Sequence, residues 1–186
     1  KLNGTINISG SKNATLPILA ASILNKKKVT IQNIPLVKDV ETMIDLLSLI
    51  GSKIKQEKKK RKIEILNNSK LKTFVPYKLV KTMRAGILVL GALLARFNKA
   101  KVSLPGGCAI GSRPVDLHLE ALKKLGVNFN IKNGYINATA KDGLIVSKIN
   151  FPKISVGATE NIMIAACLAK GKSILSNCAC EPEVKD

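Results

Sequence analysis

The stretch DVETMIDLLSLIG at residues 39–51 returns as DLHLEALKKLG at residues 116–126. Each opens on an aspartate, which suits the first turn of a helix. Each places apolar side chains at helical spacing: Met43, Leu46, Leu47 and Ile50 in one, Leu119, Leu122 and Leu125 in the other. Each closes on a glycine, Gly51 or Gly126, the residue that accepts the left-handed turn after a helix. One amphipathic helix is therefore written twice, and its surroundings repeat with it. Residues 85–94 echo residues 14–23, and Val102-Ser103-Leu104 echoes Val29-Thr30-Ile31. The period is roughly 75 residues, longer than in ordinary solenoids.

Each copy reads as β-α-β-α-β-β. A short strand such as residues 5–9 leads into an apolar helix, at about residues 13–24 or 79–96. That helix is apolar almost all round, which predicts burial. A short alternating strand follows, then the amphipathic helix, then a hairpin. In the second copy residues 127–131 and 135–138 flank Asn133-Gly134, a two-residue turn signal. In the first, Ile54 and residues 63–65 flank residues 57–61. A third copy begins near residue 151. Gly10 aligns with Gly157, Pro35 with Pro182, and Val37-Lys38-Asp39 with Val184-Lys185-Asp186, all 147 residues apart. The expectation is an α/β fold with α+β character: complete copies at about 11–78 and 79–150, and a truncated third at 151–186. Residues 1–10 are expected to form a strand.

Composition sets the bounds. The chain has 186 residues, 46% of them hydrophobic, enough for one domain with a true core. Its longest apolar run, residues 87–95, is too short to span a bilayer, and no signal peptide is evident. The net charge is +19, but 27 of the 31 basic residues are Lys, beside 15 Asn. That is the bias of AT-rich coding. With two Tyr, four Phe and no Trp, base stacking has little to use, so no nucleic-acid partner and no membrane are expected. One His and four Cys without a C-x-x-C pair argue against zinc. Without a secretory signal, reduced thiols in a cytoplasm are expected.

Several residues have chemical potential beside plainer explanations. The loop Leu104-Pro105-Gly106-Gly107-Cys108-Ala109-Ile110-Gly111-Ser112-Arg113-Pro114 turns tightly. Cys108 there is a reactive thiol near Arg113 or a small apolar filler. Ser9-Gly10-Ser11-Lys12-Asn13 joins a strand to a helix, as an anion site or as a surface Lys at a helix start. Arg84 opens the most apolar helix, as a ligand contact or in an ion pair. The run of residues 57–62, EKKKRK, reads as a solvated hairpin tip, Cys178-Ala179-Cys180 as packing, and His118 as a structural histidine.

Taken in order, Ser9-Gly10-Ser11-Lys12-Asn13-Ala14, Lys81-Thr82-Met83-Arg84-Ala85, the loop of residues 104–118 and Ser155-Val156-Gly157-Ala158-Thr159 resemble the UDP-N-acetylglucosamine 1-carboxyvinyltransferases, the UDP-GlcNAc enolpyruvyl transferases. The resemblance covers nearly the whole chain. It implies the enolpyruvyl transferase fold, two domains of three such units each, of which the C-terminal domain is missing here, with the strand of residues 1–10 belonging to that missing domain. It implies transfer of the enolpyruvyl group of phosphoenolpyruvate to the 3-hydroxyl of UDP-GlcNAc, with release of phosphate, as the first committed step of peptidoglycan synthesis. Cys108 matches the proton donor, also the residue alkylated by fosfomycin. Lys12 and Asn13 match phosphoenolpyruvate contacts. Arg84, Arg113, Pro114, Val115, Asp116, Leu117, Lys153, Ile154, Ser155 and Val156 match UDP-GlcNAc contacts. No cofactor and no metal are implied. With half the family's site absent, including its catalytic aspartate, the chain alone is expected to be inactive. The rivals are the shikimate-pathway relative, a basic RNA-binding module, and a non-catalytic remnant.

Overall fold

The computed structural model describes residues 3–67, 70–81, 83–105 and 115–185. In the first unit, helix α1 (Lys12–Ala21) continues as a 3₁₀ turn through Leu24 and is followed by strand β1 (Val29–Ile31). Helix α2 (Lys38–Ile50) ends at Gly51, whose φ of 109° is the left-handed conformation read from the sequence. Strands β2 (Lys53–Glu57) and β3 (Lys62–Leu66) close the unit in a three-stranded sheet ordered β1-β3-β2.

The second unit contains β4 (Phe74–Val75), α3 (Tyr77–Val80), α4 (Leu88–Phe97), β5 (Lys99–Ser103), α5 (Asp116–Lys124), β6 (Asn128–Lys132) and β7 (Tyr135–Thr139). Its sheet runs β4-β5-β7-β6, with β4 parallel to β5 and the other pairs antiparallel. Asn133 and Gly134 both take positive φ, 52° and 76°, as the hairpin signal requires. The third unit contains β8 (Lys148–Asn150), α6 (Val156–Ala166), β9 (Ile174–Ser176), parallel to β8, and α7 (Pro182–Lys185).

The three inner helices α1, α4 and α6 pack on one another. The outer helices interlock the units: α2 packs on α1 and on the 3₁₀ turn Arg84–Ile87, α5 on α6, and α7 on α1 and α6. The seven residues from Leu88 to Leu94 are all buried, as the all-round apolar pattern predicts. Gly91 lies at the α4–α6 crossing, where an added methyl would overlap Asn161.

Three details depart from the sequence reading. Residues 5–9 form no strand. Ile6 and Ile8 are 90% and 86% exposed, and this segment meets the unit at Gly10, whose N–H donates to Asn33 O. A strand needs an edge to pair with, and no strand edge among the described residues takes these residues. Second, the expected helix over residues 79–96 is broken. The chain folds back so that Gly86 packs on Val80, which a straight helix would hold on different faces about 9 Å apart along its axis. Arg84 therefore opens a 3₁₀ turn instead of lying within a long helix. Third, the matching helix caps are Ser11 and Ser155, 144 residues apart, so Gly10 and Gly157 are not equivalent. Gly10 precedes its cap, whereas Gly157 lies inside α6.

Candidate functional site

At the start of α1, Ser11 Oγ accepts from the Ala14 N–H at 3.3 Å, and the Thr15 hydroxyl donates to Ser11 O at 2.7 Å. This cap fixes the first turn and leaves Lys12 and Asn13 exposed beyond it. Lys12 Nζ lies 3.2 Å from Asp39 Oδ2, so the starts of α1 and α2 meet. Both side chains are open to solvent, and an ion pair of this kind stabilises by about 0–1 kcal/mol. The ammonium is held in place without being consumed by a strong partner.

At the start of α6 the cap recurs: Ser155 Oγ accepts from the Ala158 N–H at 3.3 Å. Lys153 and Ile154 are exposed before it, and Val156 is half-buried. Val115 is buried at the start of α5, Asp116 is exposed, and Leu117 is half-buried. Cys108, Arg113 and Pro114 lie outside the described residues.

His118 lies on the first turn of α5. It is 8% exposed. Its Nδ1 lies 3.0 Å from Asn161 Nδ2, and Asn161 Oδ1 accepts from the Gly91 N–H at 2.9 Å. With its oxygen taken by Gly91, the amide presents NH₂ to the ring, so Nδ1 accepts and the ring proton sits on Nε2. Burial, and then the charge of Arg84, hold the imidazole pKa down at about 4, so the ring is neutral at physiological pH. Gly157 faces the ring at Cε1. Residues 115–118, Arg84 and the start of α6 thus converge on one imidazole. Asn161 escaped the sequence reading, although a polar Glu160-Asn161 pair inside an apolar helix was the available signal.

Glu160 is 9% exposed and makes no hydrogen bond or ion pair among the described residues. Burial first, then Glu183 and Glu181, push its carboxyl up to about 7. Glu181 Oε2 is buried without a partner. The sequence reading missed this acidic cluster too, because residues about 20 apart reach it from α6 and α7.

Other candidates resolve plainly. The basic run at residues 57–62 is a hairpin tip with ion pairs Lys60–Glu57, Lys62–Glu57, Lys62–Glu64 and Lys58–Glu41. Cys178 packs against the core, and burial pushes its thiol up. Arg96 is structural and donates to Ile23 O, Asn25 O and Asn67 O. A depression of about 400 Å³ on the second sheet, lined by Thr73, Lys101, Phe129 and Asn137 among others, contains none of the candidate residues. No described helix is long and apolar enough to cross a membrane.

The sequence profile described as EPSP synthase (3-phosphoshikimate 1-carboxyvinyltransferase) matches residues 1–186. The chain belongs to that family. Among curated proteins, the chain is 66% identical, over all of its length, to the UDP-N-acetylglucosamine 1-carboxyvinyltransferase of Pelagibacter ubique (strain HTCC1062). It is 52% identical over 99% of its length to the protein of that name in Sulfurovum sp. (strain NBC37-1). It spans 44% and 43% of those two relatives. Solved structures of the fold include the enolpyruvyl transferase NikO from Streptomyces tendae, with TM-score 0.85 and 19% identity over the whole chain and 43% of NikO. EPSP synthase from Acinetobacter baumannii gives TM-score 0.77 and 14% identity over 98% of the chain and 42% of that enzyme. The enolpyruvyl transferase fold implied by the resemblance is the fold of this chain.

Proposed function

We propose that this chain supplies part of a UDP-N-acetylglucosamine 1-carboxyvinyltransferase. The observation that carries the reading is 66% identity across all 186 residues to a relative of that name. In the reaction, the substrate 3-hydroxyl gives its proton to a base and its oxygen bonds to C2 of phosphoenolpyruvate, as the C3 methylene takes a proton from an acid. The tetrahedral adduct then loses phosphate and a C3 proton, which restores the vinyl group. The first step needs an acid and the adduct needs its anionic charge balanced. Cys108 is the acid in this reading.

Lys12 and Asn13 face phosphoenolpyruvate from the start of α1. Arg84, Arg113, Pro114, Val115, Asp116, Leu117, Lys153, Ile154, Ser155 and Val156 hold the UDP-sugar. Arg84 and Arg113 suit diphosphate because the guanidinium fork binds two oxygens at once. Residues 1–10 pair as a strand with a second, C-terminal domain that completes the site, and the enzyme acts in the cytoplasm without nucleic acid or membrane. The unpaired, exposed Ile6 and Ile8 support that role for the segment.

The complete protein that carries these residues, incubated with both substrates, is expected to release phosphate only when UDP-GlcNAc is present. Cys108→Ala abolishes or sharply reduces that release. Absence of release from folded protein refutes the reading. The same assay with shikimate 3-phosphate as acceptor tests the second reading, the shikimate-pathway reaction for which the matching family is named.

A further inference from the structure

The proposed UDP-sugar contacts lie on three separate segments: Arg84 on the 3₁₀ turn before α4, residues 115–117 entering α5, and residues 153–156 entering α6. Three such segments need a common reference to keep one geometry. His118 touches or senses all of them. It follows Leu117 directly, its ring faces Gly157 one residue past Val156, and it lies within electrostatic reach of Arg84. Its other edge is bonded through Asn161 to the Gly91 N–H of α4.

We infer that His118 is a positioning residue for the UDP-sugar: an imidazole whose Nδ1 accepts from Asn161 and which fixes the starts of α5 and α6 against α4 in one binding arrangement. The inference rests on the functional reading above. The chain of bonds runs in one direction, Gly91 N–H to Asn161 Oδ1 and Asn161 Nδ2 to His118 Nδ1. Protonating Nδ1 would oppose two N–H donors and place a second cation beside Arg84. Asn161 would have to turn over and abandon Gly91, leaving a buried N–H unpaired. The site therefore uses histidine as a shaped acceptor and keeps the cationic charge for Arg84. Among the described residues, the charged group that acts on the ring from a packed element is Arg84, while Asp116 and Glu120 on its own helix are exposed.

The test uses the complete protein that carries these residues, with variants His118→Phe and His118→Gln. Phe keeps a planar ring and removes the acceptor. Gln offers a carbonyl to Asn161 and is the conservative rescue. For His118→Phe, KM for UDP-GlcNAc is expected to rise about tenfold or more, as for loss of one buried hydrogen bond, with kcat and KM for phosphoenolpyruvate within threefold of wild type. His118→Gln is expected to stay within threefold on all three. Nitrogen-15 spectra of the wild type are expected to show His118 protonated on Nε2 alone, without titration between pH 5 and 8. Three results overturn the inference: an unchanged KM for UDP-GlcNAc in His118→Phe, an equal rise in both KM values, or a ring that titrates near 6.5. A wild type that neither binds UDP-GlcNAc nor releases phosphate overturns the functional reading and this inference together. Normal wild-type activity with an unchanged variant KM overturns the inference alone.

Discussion

Helix α1 opens with Ser11-Lys12-Asn13-Ala14-Thr15 and helix α6 with Ser155-Val156-Gly157-Ala158-Thr159, and the two starts are capped in the same way. What differs is the pair of residues inside the cap. Lys12 and Asn13 stand in solvent, with Lys12 tethered to Asp39. Val156 and Gly157 turn toward the protein, with Gly157 against His118. A repeated scaffold has thus kept its cap and exchanged two side chains. One helix end is left charged and open, and the other becomes a wall of the His118 cluster. The difference continues deeper. Behind its start, α1 buries Leu16, Leu19 and Ala20, whereas α6 buries Glu160 and Asn161.

The largest expected stability effect probes the polar interior of α6. Gly91→Ala forces a methyl into Asn161 and is expected to cost about 2–4 kcal/mol in chemical denaturation, the range for overpacking combined with a lost buried hydrogen bond. A stability within 0.5 kcal/mol of wild type, on the same order-of-magnitude scale, would show that the crossing has slack. Next is Glu160. Its folded pKa, raised from 4.5 to about 7, means that the stability tied to its protonated form is complete below about 4.5 and is lost as pH rises toward 7. Glu160→Gln is expected to gain about 2 kcal/mol over wild type at pH 8 in the 186-residue chain and little at pH 4. Equal pH profiles would place a compensating cation beside the cluster.

The glycines separate the two starts more finely. Gly10→Ala overlaps the Asn33 carbonyl and is expected to lose about 1 kcal/mol. Gly157→Ala places its methyl 3.5 Å from His118 Cε1, an ordinary contact, and gains helix propensity. It is expected to be neutral or to stabilise by up to about 1 kcal/mol. If both glycines respond alike in thermal melts, the 147-residue alignment describes them better than the cap register does. The smallest test concerns what the starts share: Ser11→Ala and Ser155→Ala should each lose about 1 kcal/mol, equally within error.

The repeats were legible because their signals are local. Asn133-Gly134 needs only its own backbone to turn, and Gly51 and Gly126 both take the left-handed φ that their position requires. The break before α4 was not legible. It depends on Gly86 meeting Val80, a contact made by the folded chain. The unpaired residues 5–9 carry a fair strand pattern, but strands are settled by partners. In the candidate site, Lys12 at a helix start could be read from its own neighbourhood, whereas the equivalence of the Ser11 and Ser155 caps emerged only in the fold. The pairing of His118 with Asn161, 43 residues on, could not be read either, because nothing in either neighbourhood specifies the other. A buried polar group in an apolar helix signals only that a partner exists.

The central claim is that the start of α1 serves the anion of phosphoenolpyruvate, while the start of α6 serves the UDP-sugar. Its most direct test is Lys12→Ala in the complete protein, with kcat/KM measured separately for the two substrates and stability measured alongside. The account predicts a fall of about 100-fold or more for phosphoenolpyruvate, the scale of removing one charge-stabilising group, with stability changed by less than about 1 kcal/mol. A kcat/KM for phosphoenolpyruvate within threefold of wild type would contradict it, as would a loss confined to UDP-GlcNAc.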